Sequence, residues 1–161
     1  MSVFELLMDT FSGKMLITMA VSMLPVLELR GAIPFGVALG LSPWQALIAS
    51  IIGNLIPVPF IILFARKVFV WLRSRSGWLD RVVGKLEASA EGKWEKVRRY
   101  ENLGLLILVA IPLPGTGAWT GAMIAAIMNM RLRRALWPIV LGVIIAGFLM
   151  MAITHGFTTV F

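Results

Sequence analysis

The sequence predicts an all-α integral membrane protein of two halves, each a broken helical hairpin followed by a transmembrane helix. Three observations carry that prediction. Of the 161 residues, 59% are hydrophobic and 14% charged, against roughly 45–50% and about 25% in soluble domains. The apolar tracts are cut in two places by proline and glycine. The basic residues gather in two short stretches between tracts, so the formal charge of +7 reads as cytoplasmic loops facing anionic lipid, not as a nucleic-acid surface.

The elements follow in order. Met15 to Leu27 is apolar for only 13 residues, about 20 Å as a helix, too short for a hydrocarbon core of about 30 Å. Glu28-Leu29-Arg30-Gly31-Ala32-Ile33-Pro34-Phe35-Gly36 interrupts it, and a second apolar piece runs to Gly40, giving a hairpin over 12–40. Ser42-Pro43 has the form of a helix cap with proline at the first helical position. Trp44 to Ala65 then supplies 22 uncharged residues, a transmembrane helix over 43–65. The region 66–101 holds ten Lys/Arg and five Asp/Glu. Within it Leu79, Val82, Val83, Leu86, Ala90, Trp94 and Val97 recur at helical spacing, which predicts an amphipathic helix, either lying on the inner membrane surface or serving as a solvated linker. Asn102 to Met130 is uncharged for 29 residues but cut by Pro112-Leu113-Pro114-Gly115-Thr116-Gly117, a second hairpin over 102–130. After Arg131, Arg133 and Arg134 comes a last apolar run, with a span over 135–158.

Charge decides the topology. If 102–130 crossed the bilayer once, the triple-arginine loop would lie opposite the basic central segment, against the positive-inside rule. If it enters, turns at Pro-Leu-Pro-Gly and leaves on the same side, both basic loops are cytoplasmic. The same reading of 12–40 puts both termini outside. The result is an inverted repeat of re-entrant hairpin plus transmembrane helix, a recurrent transporter design, with Gly31-Ala32 matching Gly117-Ala118 and Pro25 near Pro112. Glu5 and Asp9 against Lys14, with no A-x-A site after the first apolar run, argue against a cleaved signal peptide.

Irregular backbone at membrane depth is tolerated only where protein or a water-filled cavity satisfies it, so two matched breaks point to a polar cavity. Glu28 and Arg30 sit in the first. Ionisable groups at such depth cost roughly 2.5–3.5 kcal/mol and are functional candidates by default. Glu28 is the proton-coupling candidate; the alternative is a structural ion pair with Arg30. Substrate-binding candidates are Arg30, Gly31, Asn54, Pro114, Gly115, Thr116, Gly117 and Thr120. The second half-helix of each hairpin would present free N–H groups to an anion, with Arg30 reinforcing the preference. Thr116 and Thr120 either cap a helix or touch ligand, and Asn54 either donates to the cavity or holds helices together. No cysteine and one histidine, His155 near a membrane interface, leave no thiolate or histidine metal site and no Cys/His nucleophile. With no GxGxxG or P-loop, neither an enzyme nor a cofactor is expected.

The stretch Glu28 to Gly36, Gly53-Asn54 with Pro57-Val58-Pro59, and Ile111-Pro112-Leu113-Pro114-Gly115-Thr116-Gly117-Ala118-Trp119-Thr120-Gly121-Ala122 resemble the small multi-drug export family over nearly the whole chain. That family looks distantly related to the DedA/VTT membrane proteins, some of which are implicated in moving undecaprenyl phosphate with a membrane-embedded acid and arginines. The resemblance carries those roles to Glu28 and Arg30. It does not carry them to Pro112–Ala122, which lacks arginine. It implies a bacterial or archaeal cytoplasmic membrane.

The expected function is a proton-coupled transporter of a small amphiphilic or anionic substrate, such as a lipid phosphate, held between the two hairpins. Export of amphipathic cationic drugs, with Glu28 as counter-charge, is one alternative. A non-transporting scaffold that recruits a partner through the basic helix is another. Expected partners are membrane lipids, the substrate and a second copy of the chain, which would shield polar backbone from lipid.

Overall fold

The computed structural model describes residues 10–97, 101–113 and 115–160, and every regular element among them is a helix. These are α1 (Phe11–Ser22), α2 (Glu28–Ala38), α3 (Pro43–Leu55), α4 (Pro57–Arg73), α5 (Gly77–Val97), α6 (Glu101–Ala110), α7 (Ala118–Ile127) and α8 (Leu132–Val160). Among the described residues, two stretches are long and apolar enough to cross a bilayer. They are α3 with α4, 31 residues whose most apolar 18-residue window has mean hydropathy 2.3, and Leu132–Phe157 of α8, 26 residues with such a window at 2.5.

The order of elements recurs. A short helix, a proline-containing break, a second short helix, a tight turn and a long helix occur in α1–α4 and again in α6–α8. The two tight turns close identically. Gly40 N–H donates to the Val37 carbonyl at 2.9 Å and Leu41 N–H to that of Gly36 at 3.0 Å; Asn129 N–H donates to Ala126 at 3.2 Å and Met130 N–H to Ala125 at 2.9 Å. This is the Schellman pattern, whose left-handed residue satisfies the last helical carbonyls. Here that residue is Gly40 (φ 90°) in one half and Asn129 (φ 58°) in the other.

Setting Gly40 upon Asn129 also sets Gly53 upon Gly142. A Cβ on Gly53 would lie 2.1 Å from the Met19 carbonyl oxygen, and one on Gly142 would lie 2.7 Å from Val109 Cβ. In each half, therefore, the long helix meets the first short helix at a glycine. This register pairs Glu28 with Gly117, whereas the sequence suggested Gly31 with Gly117. Identity between the halves is too low to fix the register, and the helix ends fix it instead.

The chain divides into two compact units, one up to Pro57 together with the chain from Val143, the other Val58–Gly142. In the first, α1, α2 and α3 pack on one another. Gly36 of α2 is seated against Thr18 of α1 and Ala46 of α3, and Gly147 of α8 against Leu47. Trp44 meets Phe148 edge to face, centroids 6.0 Å apart. The start of α3 matches its sequence signal. Ser42 Oγ accepts from the Gln45 N–H and Gln45 Oε1 from the Ser42 N–H, a capping box with Pro43 at the first helical position.

In the second unit α5 packs against α6 and α7. Part of its apolar stripe is buried there, Val83, Ala90 and Trp94 along with Leu105, Val109, Ile124 and Ile139, while Leu86 of the same stripe stays exposed. The amphipathic helix expected within 66–101 thus covers Gly77–Val97, with Val83, Ala90 and Trp94 of its apolar face turned to protein. Helix α4 runs past the expected end at Ala65 to Arg73, because Val68–Leu72 continue the apolar run and long basic side chains can lie along a helix with their charge in water.

The first break also differs from expectation. It is Met23–Leu27, around Pro25, and the stretch expected to be broken forms α2. Proline disfavours a helical residue before it, which ends α1. Pro34 lies inside α2 and removes only the bond to the Arg30 carbonyl.

Candidate functional site

Among the described residues of the first unit, the buried polar side chains are Thr18, Ser22, Glu28, Ser50, Asn54 and Thr154. All but the last lie on the mutually packed helices α1, α2 and α3. Each has a local structural cause. Thr18 and Ser22 are four residues apart on α1, as are Ser50 and Asn54 on α3, so each pair shares one helical face. Thr18 Oγ1 donates to the Lys14 carbonyl at 2.8 Å. Ser22 Oγ reaches across to the Ser50 carbonyl at 2.6 Å, tying α1 to α3.

Glu28 is the first residue of α2, not part of an irregular break, and it is 4% exposed. Its φ is +47°, a left-handed conformation costing a non-glycine residue roughly 1–2 kcal/mol. Such strain persists where the surroundings impose it and concentrates at functional sites. The Arg30 guanidinium stands 3.8 Å from the Glu28 carboxylate. The i,i+2 spacing would hold two side chains apart on a regular helix, so the left-handed residue at the helix start permits the pair. Gly31 lies in the first turn, its N–H donating to the Leu27 carbonyl at 2.8 Å.

Asn54 is 1% exposed, and neither its Oδ1 nor its Nδ2 has a hydrogen-bond partner among the described residues; the same holds for Ser50 Oγ. A buried amide without partners costs about 1–3 kcal/mol on protein scales. Pro57, lacking an N–H, cannot donate to the Gly53 carbonyl one turn back. Donor and acceptor capacity is therefore concentrated around the end of α3.

The second hairpin is built differently. Gly115 (φ 76°) and Gly117 (φ 134°) take conformations that suit glycine, and Gly117 caps α7 by accepting the Gly121 N–H at 2.8 Å. Thr116 Oγ1 lies 2.9 Å from the Ile111 carbonyl and 2.8 Å from that of Leu113. Thr120 Oγ1 donates to the Gly115 carbonyl at 3.2 Å, and Lys93 of α5 donates to the same oxygen. The hydroxyls of Thr116 and Thr120 thus bind their own loop. Pro114 lies outside the described residues.

The register that joins Gly40 to Asn129 sharpens the contrast. It sets Thr18 upon Ile107, Ser22 upon Ile111, Ser50 upon Ile139, Asn54 upon Val143 and Glu28 upon Gly117. The polar set belongs to one half; of its equivalents in the other, Ile139 and Val143 are buried hydrocarbon, Ile107 and Ile111 are exposed, and Gly117 has no side chain. Sequence reasoning found Glu28, Arg30 and Asn54 but missed Thr18, Ser22 and Ser50. Their four-residue spacing within apolar helices was the available signal.

Residues 28–149 match the model of a family described as "Putative small multi-drug export protein". No curated protein and no solved structure matches the chain.

Proposed function

This chain belongs to the small multi-drug export protein family, and from that premise we propose that it is a proton-coupled membrane transporter of small amphiphilic substrates. The observation that carries the proposal is the buried polar set of the first unit, above all an asparagine with both amide atoms unanswered. At the positions equivalent to Ser50 and Asn54, Ile139 and Val143 are buried apolar residues, so the fold does not require polarity there. In this reading α1–α2 and α6–α7 are re-entrant hairpins of an inverted repeat, and α3–α4 and α8 are the full spans. Asn54 and Ser50 offer hydrogen bonds to substrate, and Arg30 accepts its anionic group, a lipid phosphate being the first candidate. Anion binding at Arg30 would loosen its hold on Glu28, and that carboxylate would then take a proton. A second copy of the chain covers the broken backbone.

One observation favours a second reading. The family's description, together with Glu28 as a buried acid, suits amphipathic cations that displace Arg30 from the carboxylate. Proteoliposomes separate the two. Uptake of a fluorescent hydrophobic cation competed by other cations supports cation export, whereas competition by lipid phosphates supports the anion reading. No flux of either class with correctly inserted protein would contradict both.

A further inference from the structure

Outside the polar set, the second unit contains a cleft of about 440 Å³ on α4 and the turn after α7. Arg66 and Lys67 line one part of it; Ile62, Val70 and Met130 line another, and Asn129 closes it. No acidic residue lines it, and among the described residues neither cation takes part in a salt bridge. Both basic side chains are exposed. The cleft thus joins two uncompensated positive charges to a hydrocarbon wall at the basic end of the first span. Arg131, Arg133 and Arg134 follow it directly in the chain and raise the local positive potential.

We propose that this cleft binds the phosphate headgroup of an anionic membrane lipid, with its acyl chain along Ile62, Val70 and Met130. A free phosphate would find the charges but leave the wall wet. A zwitterionic lipid would fill the wall but bring a choline cation toward Arg66 and Lys67. An anionic phospholipid satisfies both surfaces at once, and basic pockets beside membrane helices bind such headgroups. Neither Glu28 nor Asn54 lines the cleft, so the proposal stands whether or not the transport reading does.

The test is lipid binding to the purified full-length protein in neutral detergent, followed by native mass spectrometry. Phosphatidylglycerol should bind in preference to phosphatidylcholine. Arg66→Gln with Lys67→Gln should weaken it about thirtyfold, since each cation near a membrane surface contributes about fivefold. Charge-preserving Arg66→Lys should retain most of the binding, and Arg81→Gln, on α5 and outside the cleft, should leave it unchanged. Equal binding of the two lipids would overturn the proposal. So would a loss at Arg81→Gln as large as that of the double variant, because the effect would then be bulk charge. Displacement of phosphatidylglycerol by millimolar inorganic phosphate would also overturn it, assigning the site to a free anion.

Discussion

Asn54 separates a functional from a structural account most cleanly. Asn54→Leu keeps the branching at Cγ and replaces an amide whose oxygen and nitrogen are both buried without partners among the described residues by two methyl groups. The amide is held at a cost of about 1–3 kcal/mol. An apolar side chain at the equivalent position of the second half, Val143, is fully buried. The variant is therefore expected to be more stable than the parent by up to about 1–3 kcal/mol, less any overpacking penalty, and to lose transport. Reversible unfolding in mixed micelles by SDS titration measures the first quantity, and flux into proteoliposomes the second. If Asn54 merely held helices together, the substitution would lower stability. A destabilised variant that still transports would refute the reasoning.

Other substitutions test the packing that positions the site. Gly53→Ala is expected to destabilise by about 1–3 kcal/mol, toward the upper end because the added methyl meets the Met19 backbone oxygen; the same titration reads it. Gly84→Ala is the matched control, with nothing within 4 Å of its Cβ, and should gain about 0.5–1 kcal/mol from helix propensity. Ser42→Ala removes the capping box of α3 and should cost about 1 kcal/mol. Hydrogen exchange should show faster opening in the first turn of that helix.

The sequence made the helical class, the long spans, the Ser42 cap, the second break and the amphipathic helix legible, because each has a local chemical signature. Charge-free length marks a span, serine before proline marks a cap, and paired prolines and glycines mark the Pro112–Gly117 break. The first break was misplaced because Gly31, Pro34 and Gly36 resemble breakers, yet Pro34 removes a single backbone bond and Gly36 serves close packing against Thr18 and Ala46. Local signals do not reveal that a glycine is there for a neighbour. The register of the repeat was hidden for the same reason: Gly53 and Gly142 are recognisable as counterparts only through the helices they approach. Glu28, Arg30 and Asn54 stood out as polar groups in apolar surroundings. Thr18, Ser22 and Ser50 are common in membrane helices and become notable only once they are buried together.

The most direct test of the central claim is transport by Glu28→Gln in proteoliposomes under an imposed pH gradient, with insertion verified by protease protection. Flux in the parent should rise with the gradient, and flux in the variant should be insensitive to it, reduced at least about tenfold. Gradient-driven flux in Glu28→Gln equal to that of the parent would contradict the assignment of Glu28 as proton carrier.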